Sequence, residues 1–309
     1  MTSPRPATGR QFEIRRGDAV ARIGQVAAVL REFSVAGVAF TEIWDDAWVP
    51  PMGCGIVLVP WPNRIRDGKW TYQDGVQKLD ITDLSLGHAT HGLLRNTAYQ
   101  VADERSDSLT LAASVYPQHG YPFILDTSVT YALGDDGLSV THKLTNAGAE
   151  AAPFGVGAHP YLRVGEHPVP ELTVTVSGSK YVVVDDRLIP LSVEPVEGTD
   201  KDFRGGRRVA DLDVDVALTG LDVTDGKVVH RLEAPDGTGV ELWADEVFAF
   251  VQVFTPPKFP GPGKPNQRKA IAMEPTTCAA NVFNSGDGLH WLEPGETWSA
   301  TWGLRPTGF

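Results

Sequence analysis

The sequence predicts an all-β protein built as a large antiparallel β-sandwich. Apolar residues recur with a period of two in many short runs, which is typical of strands with one buried face. Asp136-Gly137 and Asp236-Gly237 each stand between two such runs and indicate short hairpins. The 32 glycines and 23 prolines among 309 residues suit a chain with many turns. Because all-β architectures commonly exceed ~200 residues as one unit, we expect a single domain over residues 1–309.

Each predicted strand is a run of alternating, β-branched or aromatic residues. In chain order the first five are FEI at Phe12, LTLAASVY from Leu109, ILDTSVTYAL from Ile124, LSVTHKL from Leu138 and ELTVTV from Glu171. The remaining four are VVHRLEA from Val228, VELWA from Val240, FVQVF from Phe250 and TWSATWGL from Thr297. Hardly any window has the spacing of an amphipathic helix, so neighbouring strands should pair antiparallel through tight turns.

A proline-rich segment, Thr255–Ala270, interrupts this pattern shortly before Glu274. It reads TPPKFPGPGKPNQRKA and contains five prolines. Such a segment can be a stiff surface connection, or it can form a wall or lid over a pocket. The sequence leaves both interpretations open.

Composition excludes several functional classes. The net charge of −12 and the pI near 5.1 argue against nucleic acid or an anionic membrane surface as the main partner. No apolar run resembles a secretory signal or approaches the ~20 residues of a membrane span, so a cytoplasmic protein is expected. Cys54 and Cys278 are too few for a disulfide scaffold and offer no paired zinc ligands. A neutral or small substrate fits this composition better.

Four short motifs carry residues suited to proton transfer. His159 lies in GAHPYL between Gly157 and Pro160, where the constrained backbone should hold its imidazole at a set angle. Three further motifs, WPNRIRDG, HGLLRN and AMEPTT, supply Arg64, His91 and Glu274. Two imidazoles, a guanidinium and a carboxylate form a plausible acid–base set.

The ordered set of motifs resembles the aldose 1-epimerase family, also called mutarotases. The motifs that carry the resemblance are NRI at Arg64, HG at His91-Gly92, His-Pro-Tyr at His159 to Tyr161, and MEP at Glu274. The likeness covers most of the chain, from the early strands to the final TWGL. It implies the galactose mutarotase-like supersandwich fold.

The resemblance also implies an aspartate that contacts sugar hydroxyls. In DVALTGL this residue is Asp215, and Asp213, two residues earlier, is the alternative. Galactose-type members continue the second histidine motif with Ser-Tyr-Phe-Asn, whereas this chain has Pro160 to Arg163, and HGL replaces HGG. The chain therefore resembles a bacterial side branch of the family.

Anomer interconversion needs a proton removed from the anomeric hydroxyl and another given to the ring oxygen, so that the C1–O5 bond opens. Glu274 is predicted to be the base and His159 the acid, with its imidazolium stabilised by neighbouring carboxylates. The chemistry needs no cofactor, and the expected partner is a monosaccharide such as glucose or galactose. The other predicted contacts to the sugar come from His91, Arg64, Asp215 or Asp213, and Tyr161.

Four alternatives remain open at this stage. A hexose-6-phosphate 1-epimerase would use rim cations, for which Arg66, Lys69, Arg95 and Arg163 are available. A non-catalytic sugar-binding protein would not need a matched acid and base. A glycoside hydrolase or lyase would need two catalytic carboxylates or a tyrosine base. His88, His91, His159 and Glu274 could also imitate a metal site, although no spacing enforces one.

Overall fold

A computed structural model describes residues 5–261 and 264–308 of the chain and consists mostly of β-strands. Its α-helix, α1, covers only Val282–Ser285. Single turns of 3-10 helix occur at Pro51–Gly53, Arg66–Gly68, Val169–Glu171 and Val209–Asp211. Within the described ranges no helix is long and apolar enough to cross a membrane. The predicted all-β class is confirmed.

The first fifteen strands in chain order are β1 (Gln11–Arg16), β2 (Ala19–Gly24), β3 (Leu30–Val35), β4 (Val38–Ala39), β5 (Val57–Leu58), β6 (Arg64–Ile65), β7 (Lys69–Tyr72), β8 (Gly75–Lys78), β9 (Ala89–Thr90), β10 (Gln100–Glu104), β11 (Ser108–Val115), β12 (Leu125–Gly134), β13 (Gly137–Asn146), β14 (Ala152–Phe154) and β15 (Gly157–Ala158). The others are β16 (Tyr161–Leu162), β17 (Thr173–Thr175), β18 (Lys180–Val184), β19 (Pro190–Pro195), β20 (Arg207–Arg208), β21 (Asp215–Thr219), β22 (Lys227–Glu233), β23 (Gly239–Asp245), β24 (Phe250–Phe254), β25 (Phe259–Gly261), β26 (Lys264–Arg268), β27 (Ile271–Thr276), β28 (His290–Leu292) and β29 (Thr297–Thr307). Every run predicted as a strand overlaps one of these strands.

One sheet of nine strands has the order β10-β11-β12-β13-β29-β23-β22-β17-β20, and all its pairs are antiparallel. Both predicted hairpins belong to it. Gly134 pairs with Gly137, so the first turn consists of Asp135 and Asp136, one residue earlier than predicted. In the second hairpin, Gly237 has a φ of +87°. A left-handed conformation of this kind favours glycine because it has no Cβ to clash.

The second sheet has eight strands in the order β19-β18-β21-β24-β27-β15-β5, with β16 also paired to β27. The two sheets bury their facing side chains in one continuous core. The nine-stranded sheet contributes residues such as Leu111, Val129 and Leu144, and the eight-stranded sheet residues such as Val216, Val253 and Met273. The predicted antiparallel sandwich is therefore confirmed.

Strand β27, which bears Glu274, is buried on both faces. Side chains alternate along a strand, so Ile271 and Met273 point into the sandwich core while Ala272 and Glu274 point to the opposite face. That outer face is covered by loops and by the satellite cluster around Tyr161 and Phe259. A carboxylate on it is thus enclosed rather than exposed to solvent.

The proline-rich segment forms the hairpin β25–β26. Residues 262–263 at its tip lie outside the described residues. Phe259 at its start is buried, and Arg268 at its end pairs with the buried Glu42 at 2.6 Å. The described part of the hairpin is therefore fixed to the body of the sandwich.

Candidate active site

The sheet register places His159 opposite Glu274. Gly157 pairs with Thr276 and Tyr161 pairs with Ala272, so the residue midway between the first two faces the residue midway between the partners. Two residues opposite each other on adjacent antiparallel strands have neighbouring side chains on one face. The His159 Nε2 and Glu274 Oε1 atoms lie 3.4 Å apart, and both side chains are buried. The sheet register thus brings the predicted acid and the predicted base together as a cross-strand pair.

The next strands extend this row of polar side chains. Gln252 on β24 pairs directly with Glu274. Its Nε2 donates a hydrogen bond to Oδ1 of Asp215 at 2.5 Å, and Asp215 begins the neighbouring strand β21. An imidazole, two carboxylates and an amide therefore lie on one face of adjacent strands, where backbone hydrogen bonds fix their spacing.

Arg64 forms the facing wall at the start of β6. Its Nε donates to Oδ2 of Asp83 at 3.2 Å, its Nη1 donates to Oδ1 of Asn63 at 3.1 Å, and its Nη1 lies 3.9 Å from Oδ2 of Asp215. A rigid guanidinium held by two carboxylates keeps a fixed orientation. Its remaining donor capacity can serve a ligand.

His91 completes the set from the loop after β9. Its backbone has a φ of +61°, and Gly92 follows at +72°. A Cβ on Gly92 would lie 2.0 Å from the Val59 carbonyl oxygen, so only glycine fits. This explains the His-Gly motif, because the turn brings the His91 ring edge-on to His159, with centroids 5.3 Å apart.

These groups line one cavity of about 340 Å³, which lies within the usual range for small-molecule sites. The lining residues are Pro50, Met52, Gly53, Asn63, Arg64, Thr82, Asp83, Thr90, His91, Arg95, His159, Asp215, Gln252, Phe254 and Glu274. The wall is rich in hydrogen-bonding groups, as a polyhydroxylated ligand requires. A larger groove of about 820 Å³ lies elsewhere, against β11 to β13, and holds none of the predicted site residues.

Burial is the main cause of the pKa shifts of Glu274 and Asp215, two carboxyls that line the cavity. It raises the pKa of Glu274 well above its usual range, and the Asp215 charge adds to this effect while Arg64 opposes it. Burial raises the pKa of Asp215 as well, against the opposing effects of Arg64 and Gln252. Glu274 and Asp215 therefore each hold a proton more readily than an exposed carboxyl does.

Burial acts on the histidines in the opposite direction. It lowers the pKa of His159 to about 3, with smaller contributions from Arg95 and Arg64. Burial also lowers the pKa of His91 well below its usual range, and the His159 ring adds to this. The expectation that neighbouring carboxylates stabilise an imidazolium at His159 is contradicted, because desolvation has the larger effect.

The structure gathers most of the predicted residues and separates two from the cavity. His91, His159, Glu274, Arg64 and Asp215 line it, whereas Asp213 is exposed and lies outside it. Tyr161 is buried behind His159, so it does not form part of the wall that was expected to meet the sugar. Of the four predicted rim cations, Arg95 lines the cavity, and Arg66, Lys69 and Arg163 do not.

The metal-site alternative loses one of its ligands. The His88 Nδ1 accepts a hydrogen bond from the Asp67 backbone N–H at 3.0 Å, and its Nε2 lies 3.1 Å from the Arg187 carbonyl oxygen. With both ring nitrogens taken by backbone groups, His88 braces a loop. Among the described residues, no group of three or more metal-ligating side chains is clustered.

Two cavity residues escaped the sequence prediction. Gln252 sits in FVQVF as the single polar residue between apolar ones, which is the signal that could have revealed it. Asp83 could be expected, like Asp67 and Asp74, as a surface partner of Arg64, but its place in the cavity wall is visible only in three dimensions. Gln252 holds Asp215 in place by a hydrogen bond, and Asp83 holds Arg64 in the same way.

An antiparallel sandwich whose outer face carries this acid–base pair in a polar cavity has the form of a carbohydrate-processing isomerase. The family model for aldose 1-epimerase matches residues 31–305. The chain belongs to this family.

Individual proteins resemble the chain in sequence or in fold. The chain is 33% identical to the uncharacterised protein YihR of Escherichia coli K12 over 291 residues, or 94% of this chain and 91% of that one. A galactose mutarotase-like protein from Clostridium acetobutylicum matches in structure with a TM-score of 0.84 at 19% identity, covering 97% and 95% of the chains. An aldose epimerase homologue from C. elegans matches with a TM-score of 0.83 at 18% identity, covering 97% and 99%. The two structural matches support the fold.

Proposed function

We propose that the protein is an aldose 1-epimerase that interconverts the α and β anomers of a free aldose. The observation that carries this proposal is the cross-strand pair His159–Glu274, 3.4 Å apart in a cavity lined with hydrogen-bonding groups. An acid and a base set side by side match the two proton transfers that ring opening requires. Membership of the aldose 1-epimerase family supports a carbohydrate epimerase.

In the proposed reaction, the Glu274 carboxylate takes the proton of the anomeric hydroxyl. The electron pair of that O–H bond forms the C1 carbonyl, the C1–O5 bond breaks, and His159 gives its proton to O5. Rotation about C1–C2 presents the other carbonyl face, and the same transfers in reverse close the ring. All atoms and protons balance, and no oxidant or reductant takes part.

The lowered pKa of His159 and the raised pKa of Glu274 fit a single proton shared by these two residues. A neutral imidazole beside a protonated carboxyl holds the same number of protons as an imidazolium beside a carboxylate. Burial favours the first arrangement, and transfer of the proton from Glu274 to His159 gives the second, reactive one. Positioned acid–base groups of this kind typically contribute ~10²–10⁴-fold to a rate.

Sugar contacts are assigned to the remaining polar wall. Arg64 donates to ring hydroxyls, Asp215 accepts from them, and Gln252 adds an amide that keeps Asp215 in place. His91, whose ring meets His159 edge-on, donates to the ring oxygen or to a neighbouring hydroxyl.

The proposal is tested by polarimetry on freshly dissolved α-D-glucose and α-D-galactose. Wild type should accelerate mutarotation, and Glu274→Gln should lower kcat by about 10²-fold or more. Glu241→Gln is the matched control, since Glu241 is a largely buried carboxylate on β23 that pairs with Arg231 and Arg305 outside the cavity. Wild-type turnover in the Glu274 variant would refute the assigned base. Binding of an aldose without acceleration would instead indicate a sugar-binding protein.

A second candidate function is the 1-epimerisation of an aldose that carries an anionic group, such as a hexose 6-phosphate. The observation that favours it is Arg95, which lines the cavity and has no carboxylate partner within 4.0 Å among the described residues. Within residues 5–261 and 264–308, its guanidinium makes one hydrogen bond, from Nη1 to the Thr90 carbonyl oxygen at 3.5 Å. An unneutralised guanidinium suits a phosphate or similar anion.

Arg95→Gln separates the two substrate classes. It should raise KM for the 6-phosphate at least about tenfold and leave the free hexose little changed, since a charge-assisted contact to an anion is lost. Arg66→Gln is the control, because Arg66 pairs with Asp185 at 2.8 Å and lies outside the cavity. Equal effects on both sugars would argue against the anionic substrate.

A further inference from the structure

Behind His159, stacked aromatic rings lead from the cavity wall into the interior. The Tyr161 ring is parallel to the His159 imidazole, with an interplanar angle of 6° and centroids 5.2 Å apart. Phe259 packs on Tyr161 in turn, at 4.7 Å and 32°. Tyr161 and Phe259 are both fully buried. The chemistry proposed above uses neither ring.

His159 lacks the hydrogen bond that usually orients such a residue. A histidine that transfers protons through one ring nitrogen is commonly held by a hydrogen bond at the other. Here Nδ1 of His159 is buried and has no hydrogen-bond partner within the described part of the chain. With no partner at Nδ1, packing has a larger part in setting the ring plane, and Tyr161 offers a parallel surface for it.

The Tyr161 hydroxyl is not what holds this arrangement. Its oxygen is buried and also lacks a hydrogen-bond partner among residues 5–261 and 264–308. An unpaired buried hydroxyl is unfavourable, so the contribution of Tyr161 to the site lies in its ring.

Glu42 ties the two supporting rings to one point. Its backbone N–H donates to the Tyr161 carbonyl oxygen at 2.9 Å. Its carboxylate pairs with Arg268, at the end of the hairpin that begins with Phe259. The strand that bears Tyr161 and the hairpin that bears Phe259 are thus anchored together.

We propose that Tyr161 is a positioning residue that fixes the ring plane of His159, and that Phe259 supports it from the β25–β26 hairpin. Rotation of the imidazole out of this plane would carry Nε2 away from Glu274 and break the 3.4 Å approach. The inference rests on the proposed acid–base role of His159. It gives the described part of the proline-rich hairpin a structural task, which is to support the ring behind His159.

The kinetic test compares Tyr161→Leu, which removes the ring, with Tyr161→Phe, which keeps it. Tyr161→Leu should lower kcat at least about tenfold and leave KM within about threefold, because misplacement of a reacting group costs rate. Tyr161→Phe should restore kcat to within about twofold of wild type. Tyr99→Leu is the matched control, since Tyr99 is equally buried and lies outside the cavity, and its hydroxyl also lacks a hydrogen-bond partner among the described residues.

Several results would overturn the inference. They are an unchanged kcat in Tyr161→Leu, an equal loss in Tyr99→Leu, or an equal loss in Tyr161→Phe. If Tyr161→Leu does not fold, Phe259→Leu replaces it and should lower kcat about threefold with KM unchanged, whereas wild-type kcat would count against the proposal.

Nuclear magnetic resonance separates this inference from the proposed function. The ring protons of His159, assigned by comparison with His159→Gln, should shift in Tyr161→Leu and not in Tyr161→Phe, because only the former loses the ring current. If wild type accelerates no aldose, the proposed function fails while this readout still tests the stack. Unchanged His159 shifts in Tyr161→Leu would overturn it.

Discussion

His142, which lies outside the cavity, is predicted to make the stability of the fold depend on pH. His142 is fully buried on β13, and its Nε2 accepts a hydrogen bond from Nε1 of Trp302 at 3.0 Å. The ring is therefore neutral with its proton on Nδ1, which has no partner among the described residues. Burial lowers the pKa of His142 from 6.5 to about 3.

The sign and size of the effect follow from that pKa. Between pH 6.5 and pH 3 the unfolded chain binds a proton at this residue that the folded chain does not, so stability falls as the pH falls. One pKa unit corresponds to about 1.4 kcal/mol. Integration from pH 7 to pH 5 gives a loss of about 2 kcal/mol from His142 alone. That is a large share of a typical folding free energy of ~5–15 kcal/mol.

His142→Gln removes the titrating group and keeps an acceptor for Trp302. The free energy of unfolding is measured in urea at pH 7 and pH 5 by tryptophan fluorescence. Relative to wild type, the variant should gain about 2 kcal/mol between the two pH values. His119→Gln, at an exposed histidine, controls for the removal of an imidazole as such. A relative gain below about 0.5 kcal/mol would refute the reasoning, which takes ~1.4 kcal/mol per pKa unit.

Three further predictions concern the cavity. Burial raises the pKa of Glu274, so the folded state loses stability as pH rises above 4.5. In urea titrations, the free energy of unfolding of Glu274→Gln should rise relative to wild type by up to about 1.4 kcal/mol per pH unit. A difference that stays constant with pH would contradict this. Gly92→Ala should destabilise the protein by about 3 kcal/mol in the same assay, because the new Cβ would lie 2.0 Å from the Val59 carbonyl oxygen and the residue would keep a positive φ. A loss under about 1 kcal/mol would be inconsistent with that turn. Arg64→Lys should raise KM about tenfold in polarimetry, since an ammonium lacks the guanidinium fork that contacts both Asp83 and Asp215. An unchanged KM would exclude Arg64 from sugar binding.

Local patterns predicted the strands because alternation and turn residues are properties of short segments. The FVQVF run at Phe250 and the TWSATWGL run at Thr297 each became strands, although they joined different sheets. Sheet membership depends on pairing between distant segments, which periodicity does not encode. The Asp136-Gly137 turn moved by one residue because the register of the paired glycines fixes the loop.

The site was predictable where a motif carried the residue and unpredictable where burial decided its role. His159 and Glu274 were found as motifs, yet the direction of the His159 pKa shift depends on enclosure by the whole fold. Tyr161 belongs to the same motif as His159, but only packing shows that it lies behind the cavity wall. The sequence offers Asp67, Asp74 and Asp83 as surface partners for Arg64, and only the fold shows that Asp83 is the partner and that the pair lines the cavity.

Glu274 lies on β27 and His159 lies between β15 and β16, the two strands that pair with β27, and this placement has a consequence for how specificity can evolve. This strand is hydrogen-bonded on both sides, by β24 and by β15 and β16, so the floor of the cavity belongs to the part of the protein that opens least. Asn63, Asp83 and Arg95 lie on the facing wall, outside that sheet. Substitutions there can retune which aldose is accepted while the reacting atoms keep their geometry.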